Sequence, residues 1–349
     1  MSVPDLRDAT FHALATAAAS VLSFILAEWI GLERTNLAVW TTFLVMAQYG
    51  FTSFQKGLER VVGRGLGILA GLILTTWFNE MPLVVFGLIV VLLTSFLYLY
   101  FAGWMAYTFL QAGLYVVAVF QIGHANPTRV VGESEELFAA VVVGVVVADI
   151  VNWLIGAERE VGIQLTGSPL WPLRGDWVSQ SLMLSVTVLF TLVAARAADL
   201  PAENAAISVL VLTVSPHLQA LIQKGELRIA GLVMATLWSI ATFLLIGLLP
   251  YFPLLVVLVF LGLFVATYLT LTTGKYAYAG LQMGLVLPMV VVVGPAEFGR
   301  LMPAVQRLTG IVIGLAVSVI VASLWPRFPL AEPVVAPPPP AAMPGEIDV

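Results

Sequence analysis

The sequence predicts an all-α polytopic membrane protein with about 12 transmembrane helices, arranged as two parallel six-helix repeats and without a soluble domain. The prediction depends on composition, on the long apolar runs and on a duplicated basic motif. Hydrophobic residues make up 60% of the 349 residues and charged residues only 10%, against about 45–50% and about 25% in ordinary globular proteins. A soluble fold could not cover such a chain with polar surface, so the bilayer must solvate most of it.

Long apolar runs divide each half of the chain into six predicted spans. Runs of about 20 apolar residues bounded by charges, Gly or Pro are typical of membrane helices. An even number of spans keeps both halves in the same orientation, and the short second span of each half indicates a transport site. The predicted spans are residues 10–30, 37–49, 61–78, 82–101, 104–122 and 137–155, then 178–198, 205–217, 229–249, 253–272, 276–293 and 302–325.

A basic motif occurs twice, each time in a polar loop that the apolar pattern predicts before the third span of a half. QKGLERVVG at residues 55–63 returns as QKGELRIAG at residues 223–231, with five of nine positions identical. Together with a shared helix pattern behind each copy, this indicates duplication. Small residues four apart let membrane helices pack closely, and they recur behind the motifs as Gly63, Gly67 and Gly71, then Gly231, Ala235 and Ser239.

The domain boundaries follow from the spans and from the distribution of charge. Lys and Arg are about twice as numerous on the side that holds the termini, which places both termini in the cytoplasm. The predicted parts are a first six-helix repeat at 1–156, a short cytoplasmic linker at 157–177, a second six-helix repeat at 178–325 and a Pro-rich, disordered cytoplasmic tail at 326–349.

The duplicated cations are the first candidate site residues. In each motif a Lys and an Arg stand four apart, which places them on one helix face at the mouth of the third span. Paired across a pseudo-twofold axis, four cations would attract anions. Alternatively they only follow the positive-inside rule and meet lipid phosphates. The four residues are Lys56, Arg60, Lys224 and Arg228.

Polar residues within the fifth spans are candidates for lining a pathway. Tyr107 and Gln111 stand four apart, as do Tyr278 and Gln282, so each pair shares a helix face. An amide in hydrocarbon needs hydrogen bonds, which it finds either across helices or with a substrate. Structural bonding and substrate contact both stay open at this stage.

Two residues are candidates for proton coupling. Asp149 lies inside the sixth span, where a charge costs about 2.5–3.5 kcal/mol on insertion scales. It could carry a proton or pair with an Arg. His217 ends the short second span of the second half, and a histidine changes its protonation near neutral pH. Capping a helix is the alternative for His217.

Several classes of function are disfavoured or excluded. A net charge of −5 argues against nucleic-acid binding. The chain has no cysteine, and its three histidines are not at metal-ligand spacing. No P-loop motif occurs. We therefore expect a protein that is not an enzyme, with no catalytic residues, no metal and no cofactor.

One stretch of the first half resembles a known family. Asn36 to Trp40, an apolar stretch to Gln48, the motif at 55–57, Arg60 and the Gly-rich helix behind it resemble the fusaric acid resistance family of FUSC-like aromatic acid exporters. The second half repeats the pattern more weakly. The sequence departs from the family where Ile68 follows Gly67, since the family has Gly-Thr there.

The resemblance implies an efflux transporter of the cell inner membrane that exports aromatic or other organic acids. It further implies that the transporter operates together with a periplasmic adaptor protein and an outer-membrane channel. Membrane lipids and an organic anion are the other expected partners, and homo-oligomerisation is left open. Two alternatives also remain: a passive anion channel, and a non-transporting membrane subunit or scaffold of a partner complex.

Overall fold

The computed structural model describes residues 6–47, 53–78, 80–156, 173–200, 202–213, 218–292 and 302–324. Within them the chain forms twelve α-helices, one 3-10 helix at Gly274–Tyr276 and no strand, which confirms the predicted all-α class. The first six helices are α1 (Leu6–Trp29), α2 (Thr35–Met46), α3 (Ser53–Trp77), α4 (Pro82–Phe101), α5 (Ala106–Ala125) and α6 (Val130–Leu154). The second six are α7 (Gly175–Ala197), α8 (Ala202–Thr213), α9 (Leu218–Leu248), α10 (Phe252–Thr272), α11 (Ala277–Val291) and α12 (Met302–Leu324).

Seven of the described helices are long and apolar enough to cross a bilayer, namely α1, α4, α5, α6, α7, α9 and α10. Two shorter apolar segments are Thr35–Met46 and Val305–Val321. The helices α2 and α8 have 12 residues each, as the prediction of a short second segment in each half requires. The chain is therefore a polytopic helical membrane protein. Twelve complete spans and the division into repeats stay predictions.

Both basic motifs lie inside helices, so the prediction of polar loops at these positions is wrong. Helix α3 begins at Ser53 and α9 begins at Leu218, each ahead of its motif. The physical reason is that Gln, Lys, Glu, Leu and Arg all have high helix propensity, which lets each helix continue from the apolar segment through the motif. The motif side chains are consequently held at fixed positions on a helix face.

Small residues allow α3 to lie directly on α5, and α9 on α11. A Cβ atom at Gly63 would overlap the carbonyl oxygen of Thr108, and one at Gly231 would overlap that of Ala279. Gly67 makes the same kind of contact. The predicted packing role of these glycines is confirmed, because no larger side chain fits between the two backbones. The seams hold the helices with the basic motifs against those with the Tyr and Gln residues.

The two halves of the chain share their hydrophobic cores. One core joins α1 and α2 with α9, α10 and α11 and contains Phe43 and Leu263. A second joins α4 and α5 with α7 and α8 and contains Leu93 and Leu184. In addition, α2 packs on α11 and α5 packs on α8. The helices α2, α5, α8 and α11 therefore lie where the halves meet, and they form the walls of the candidate site.

Candidate functional site

A cavity of about 340 Å³ lies between the two halves, and we call it the central cavity. Faces of α2, α5, α8 and α11 form most of its wall. Along α5 the lining extends from Tyr107 to Ile122, a distance of about 22 Å at about 1.5 Å per residue. A volume of this order is typical of small-molecule sites, which have about 300–1,000 Å³.

The lining of the central cavity is strongly electropositive. It includes five cationic side chains, of which Arg34 is paired with Glu133 outside the lining, and no carboxylate belongs to it within the described ranges of the chain. Cations in a site of low dielectric attract anions and disfavour cations. Lys56, Lys224 and Arg228 lie at one end, which we call the basic end, and Arg34 and Arg307 lie towards the other.

Seven of the eight residues predicted to bind anions or to line a pathway border this one cavity. The exception is Arg60, which lies behind the wall. The structure thus brings together residues from α3, α5, α9 and α11 that are far apart in sequence. Their roles in binding a substrate stay predictions. The seven lining residues are Lys56, Lys224, Arg228, Tyr107, Gln111, Tyr278 and Gln282.

Arg60 and its neighbour Arg64 are covered by aromatic rings of the first half. Both side chains are fully buried. The guanidinium carbons of Arg60 and Arg64 lie 5.0 and 5.1 Å from the ring centre of Trp40, and Arg64 also lies 4.3 Å from the ring of Tyr115. Arg60 donates a hydrogen bond from Nη1 to the hydroxyl of Tyr107. The cavity wall on this side is therefore aromatic, with two cations directly behind it.

Neither arginine is neutralised by these contacts. Nε and Nη2 of Arg60 and all three side-chain nitrogens of Arg64 have no hydrogen-bond partner among the described residues. In the same part of the chain, no carboxylate forms an ion pair with either of them. A cation–π contact contributes about 0.5–2 kcal/mol, much less than an unpaired buried charge costs. The positive charge of the pair therefore acts on the cavity beside it.

The arginine of the second motif borders the cavity. Arg228 is only 4% exposed, yet it belongs to the lining, and its Nε and Nη1 atoms have no partner among the residues that the structure describes. Ser208 stands as far before Lys224 as Trp40 stands before Lys56, and it also lines the cavity. A hydroxymethyl group cannot cover a guanidinium as an indole ring does. The difference between Trp40 and Ser208 accompanies the different positions of the two arginines, since Arg228 lines the cavity and Arg60 does not.

The two motif lysines also lie at the basic end. Lys224 donates a hydrogen bond from Nζ to the carbonyl oxygen of Val211, at 2.8 Å, and lies 5.7 Å from the ring centre of Tyr278. One of its three N–H donors is therefore used by the protein. Lys56 is 8% exposed and also lines the cavity.

The proton-coupling candidates lie apart from this lining. Asp149 is half-buried on α6 and does not line the central cavity. It faces α3, because a Cβ atom built on Gly57 would lie 3.3 Å from its Oδ2 atom. His217 lies outside the described residues. Proton coupling through either residue stays a prediction.

Sequence reasoning missed three residues of the site, Trp40, Arg64 and Tyr115. Arg64 stands four residues after Arg60, so helical spacing alone would have placed it on the same face. In the sequence Trp40 stands out only as part of the family motif. For Tyr115 no local signal was present, since an aromatic residue in an apolar helix is most often part of the core.

A second, more open cleft of about 450 Å³ adjoins the central cavity at Ile122. It is lined by charges of both signs, including Glu133, Arg196 and Asp199. Glu133 also forms an ion pair with Arg34, at 2.5 Å. Because its charges largely compensate one another, the cleft lacks the preference for anions that the central cavity has. We therefore take the central cavity as the candidate site.

Helices of this length and apolarity, packed around a cationic cavity between two halves, define a polytopic helical membrane protein. Residues 9–168 match the model of the fusaric acid resistance protein family, FUSC. The match confirms the resemblance found in the sequence, and it covers the part of the chain that holds Trp40, Arg60 and Arg64. No match was found among curated proteins or among solved structures.

Proposed function

We propose that the chain is a secondary efflux transporter for organic anions, above all aromatic and related organic acids. The observation that carries the proposal is the lining of the central cavity, with five cations and no carboxylate among its described residues. An anion that enters this cavity exchanges water for cationic and hydrogen-bonding groups. A neutral or cationic compound would gain no such compensation.

The proposed orientation places the basic end towards the cytoplasm, in the cell inner membrane, with both termini cytoplasmic. The two halves, 1–156 and 178–325, are then parallel six-helix repeats joined by residues 157–177, and 326–349 form a cytoplasmic tail. Support comes from the helix pairs that recur at corresponding positions, α3 with α5 and α9 with α11, and α2 with α6 and α8 with α12.

A flux assay on the full chain in liposomes tests the proposal. Vesicles loaded with radiolabelled benzoate should release it faster with the protein than without it. Arg228→Gln should lower the rate at least about tenfold, because one guanidinium of the lining is lost. Lys275→Gln is the matched control, since Lys275 is exposed and outside the cavity. Equal rates for both variants would contradict a role of the cavity charges.

The energy source is tested with the same vesicles. In the proposed mechanism Asp149 and His217 couple export to proton entry, so a pH gradient should change the wild-type rate. Asp149→Asn and His217→Gln should each weaken that dependence. No effect of the gradient, or full activity of Asp149→Asn, would remove the coupling from the proposal and leave anion export itself intact.

A passive anion channel is the second candidate, and one observation favours it. The cavity follows α5 for about 22 Å, which is most of the thickness of the hydrocarbon core, about 30 Å. Single-channel recording separates the two functions, because a carrier gives no unitary currents. Transport by the purified chain alone would also contradict a purely scaffolding role and show that an adaptor and an outer-membrane channel are not needed for the membrane step.

A further inference from the structure

We propose that the two halves of the central cavity divide the recognition of one ligand: the second half binds its carboxylate through Arg228, and the first half binds its planar ring through Trp40 and Tyr115. This inference rests on the proposed function, because it assumes that organic anions enter the cavity. It adds the orientation of the ligand and the residues that select it.

The carboxylate is assigned to the second half because, of the two motif arginines, only Arg228 borders the cavity. Arg228 lines the cavity beside Tyr278, with which its side chain interacts, and its Nε and Nη1 atoms are buried without a hydrogen-bond partner among the described residues. A guanidinium edge matches the two oxygens of a carboxylate, and such charge-assisted pairs are among the strongest hydrogen bonds in proteins. Arg60, at the matching position of the first motif, is fully buried behind Trp40 and Tyr107 and cannot offer its edge.

The ring is assigned to the first half by the distribution of aromatic side chains. Trp40 and Tyr115 both line the cavity. At the corresponding positions of the second half stand Ser208 and Val286, since Val286 follows Tyr278 at the same distance as Tyr115 follows Tyr107. Aromatic rings prefer to stack on other rings, in offset or edge-to-face geometry. The first half can therefore provide this contact at two positions where the second half cannot.

The cations behind the aromatic wall strengthen the division. Arg60 and Arg64 lie 5.0 and 5.1 Å from the ring centre of Trp40. The two positive charges draw the electron density of the Trp40 ring towards themselves. The rest of this ring then becomes a more favourable contact for the electron-rich ring of an aromatic carboxylate. The first half thus attracts the anion without forming a direct ion pair with it. A cavity of about 340 Å³ between the walls has room for one such ligand.

Two carboxylates of nearly equal size test the inference. Benzoate has a planar aromatic ring, whereas cyclohexanecarboxylate has the same charge and a saturated ring. Dissociation constants are measured by titration calorimetry on the full chain in nanodiscs. The wild type should bind benzoate about tenfold more tightly. If the two affinities lay within twofold of each other, the assignment of the ring would be overturned. The comparison uses only the wild-type protein, so it does not depend on whether a variant folds.

Variants then locate each part of the ligand. Trp40→Leu should bring the two affinities within twofold of each other, and Trp40→Phe should keep the preference for benzoate. Because the readout is a ratio, it is insensitive to any new exposure of Arg60. If Trp40→Leu left the preference for benzoate over cyclohexanecarboxylate unchanged, the proposed role of Trp40 would be overturned.

Arg228→Met should weaken the binding of both ligands equally, by about tenfold or more. Arg60→Met, from the first motif, should cost less than Arg228→Met, because Arg60 lies behind the ring of Trp40 and acts on the ligand only across it. A larger loss for Arg60→Met than for Arg228→Met would overturn the assignment of the carboxylate. If the wild type bound neither probe, the proposed function itself would fail. If it bound both with a different pattern, only the division between halves would fail.

Discussion

A methyl group at Gly67 tests whether the close approach of α3 and α5 positions the site. The Cβ atom of Gly67→Ala would lie 2.7 Å from Cβ of Tyr115 and 3.1 Å from the carbonyl carbon of Ala112, and it would overlap the Ala112 carbonyl oxygen. Ordinary contacts of this kind are about 3.5–4.0 Å. The obstacle is mostly backbone, which cannot rotate away, so the helices must separate.

Overpacking of this kind costs about 1–3 kcal/mol, and a rigid obstacle favours the upper end of that range. Replacing Gly by Ala in a helix returns about 1 kcal/mol. We therefore expect Gly67→Ala to lower the free energy of unfolding by about 2 kcal/mol. Denaturant titration of the purified protein, followed by the loss of helical circular dichroism, measures the change.

Gly87→Ala is the control, because Gly87 lies exposed on α4 and a Cβ atom there meets nothing within 4 Å. It should leave the stability unchanged or raise it by up to about 1 kcal/mol. If both variants shifted the denaturant midpoint of unfolding in the same direction and to the same extent, the helices α3 and α5 would not pack as closely as the structure shows. That result would refute the reasoning.

Three further predictions concern charge. Arg64→Met should raise the free energy of unfolding in anion-free buffer by about 1 kcal/mol, because a buried charge without an ion-pair partner is removed; a clear loss in the same denaturant titration would speak against it. Benzoate at about 100 times its dissociation constant should stabilise the wild type by about 2.7 kcal/mol, and an unchanged midpoint would show that the folded state does not bind it. Glu133→Gln should cost less than about 1 kcal/mol, since the side chains of Arg34 and Glu133 are 39% and 30% exposed; a larger loss would show that the pair is shielded from water.

The helices were predictable from local patterns, but their ends were not. Apolar runs located all twelve helices, and the short α2 and α8 were recognised as short. The starts of α3 and α9 were placed too late, because the charged residues at 55–60 and 223–228 look like a loop in a hydropathy profile. Their high helix propensity and the contacts of Gly57 and Gly225 with neighbouring helices extend the helices through these residues.

The candidate site was predictable where residues occur twice. Lys56 and Lys224, like Gln111 and Gln282, stand at corresponding positions, and the structure places all four on the central cavity. Spacing could not show that Arg60 is covered, because this depends on Trp40, which belongs to another helix. In the same way, the lining contains Arg34 and Arg307, which no repeated pattern singles out.

The sequence by itself determined that this chain is a helical membrane protein, that its first half has the family motif, and that its polar residues recur in pairs. These properties depend on composition and on local periodicity, which a linear pattern contains. Only the tertiary structure decided which cations face the cavity and which are buried behind aromatic rings. The physical reason is that exposure and charge compensation depend on side chains of other helices, such as Trp40 over Arg60.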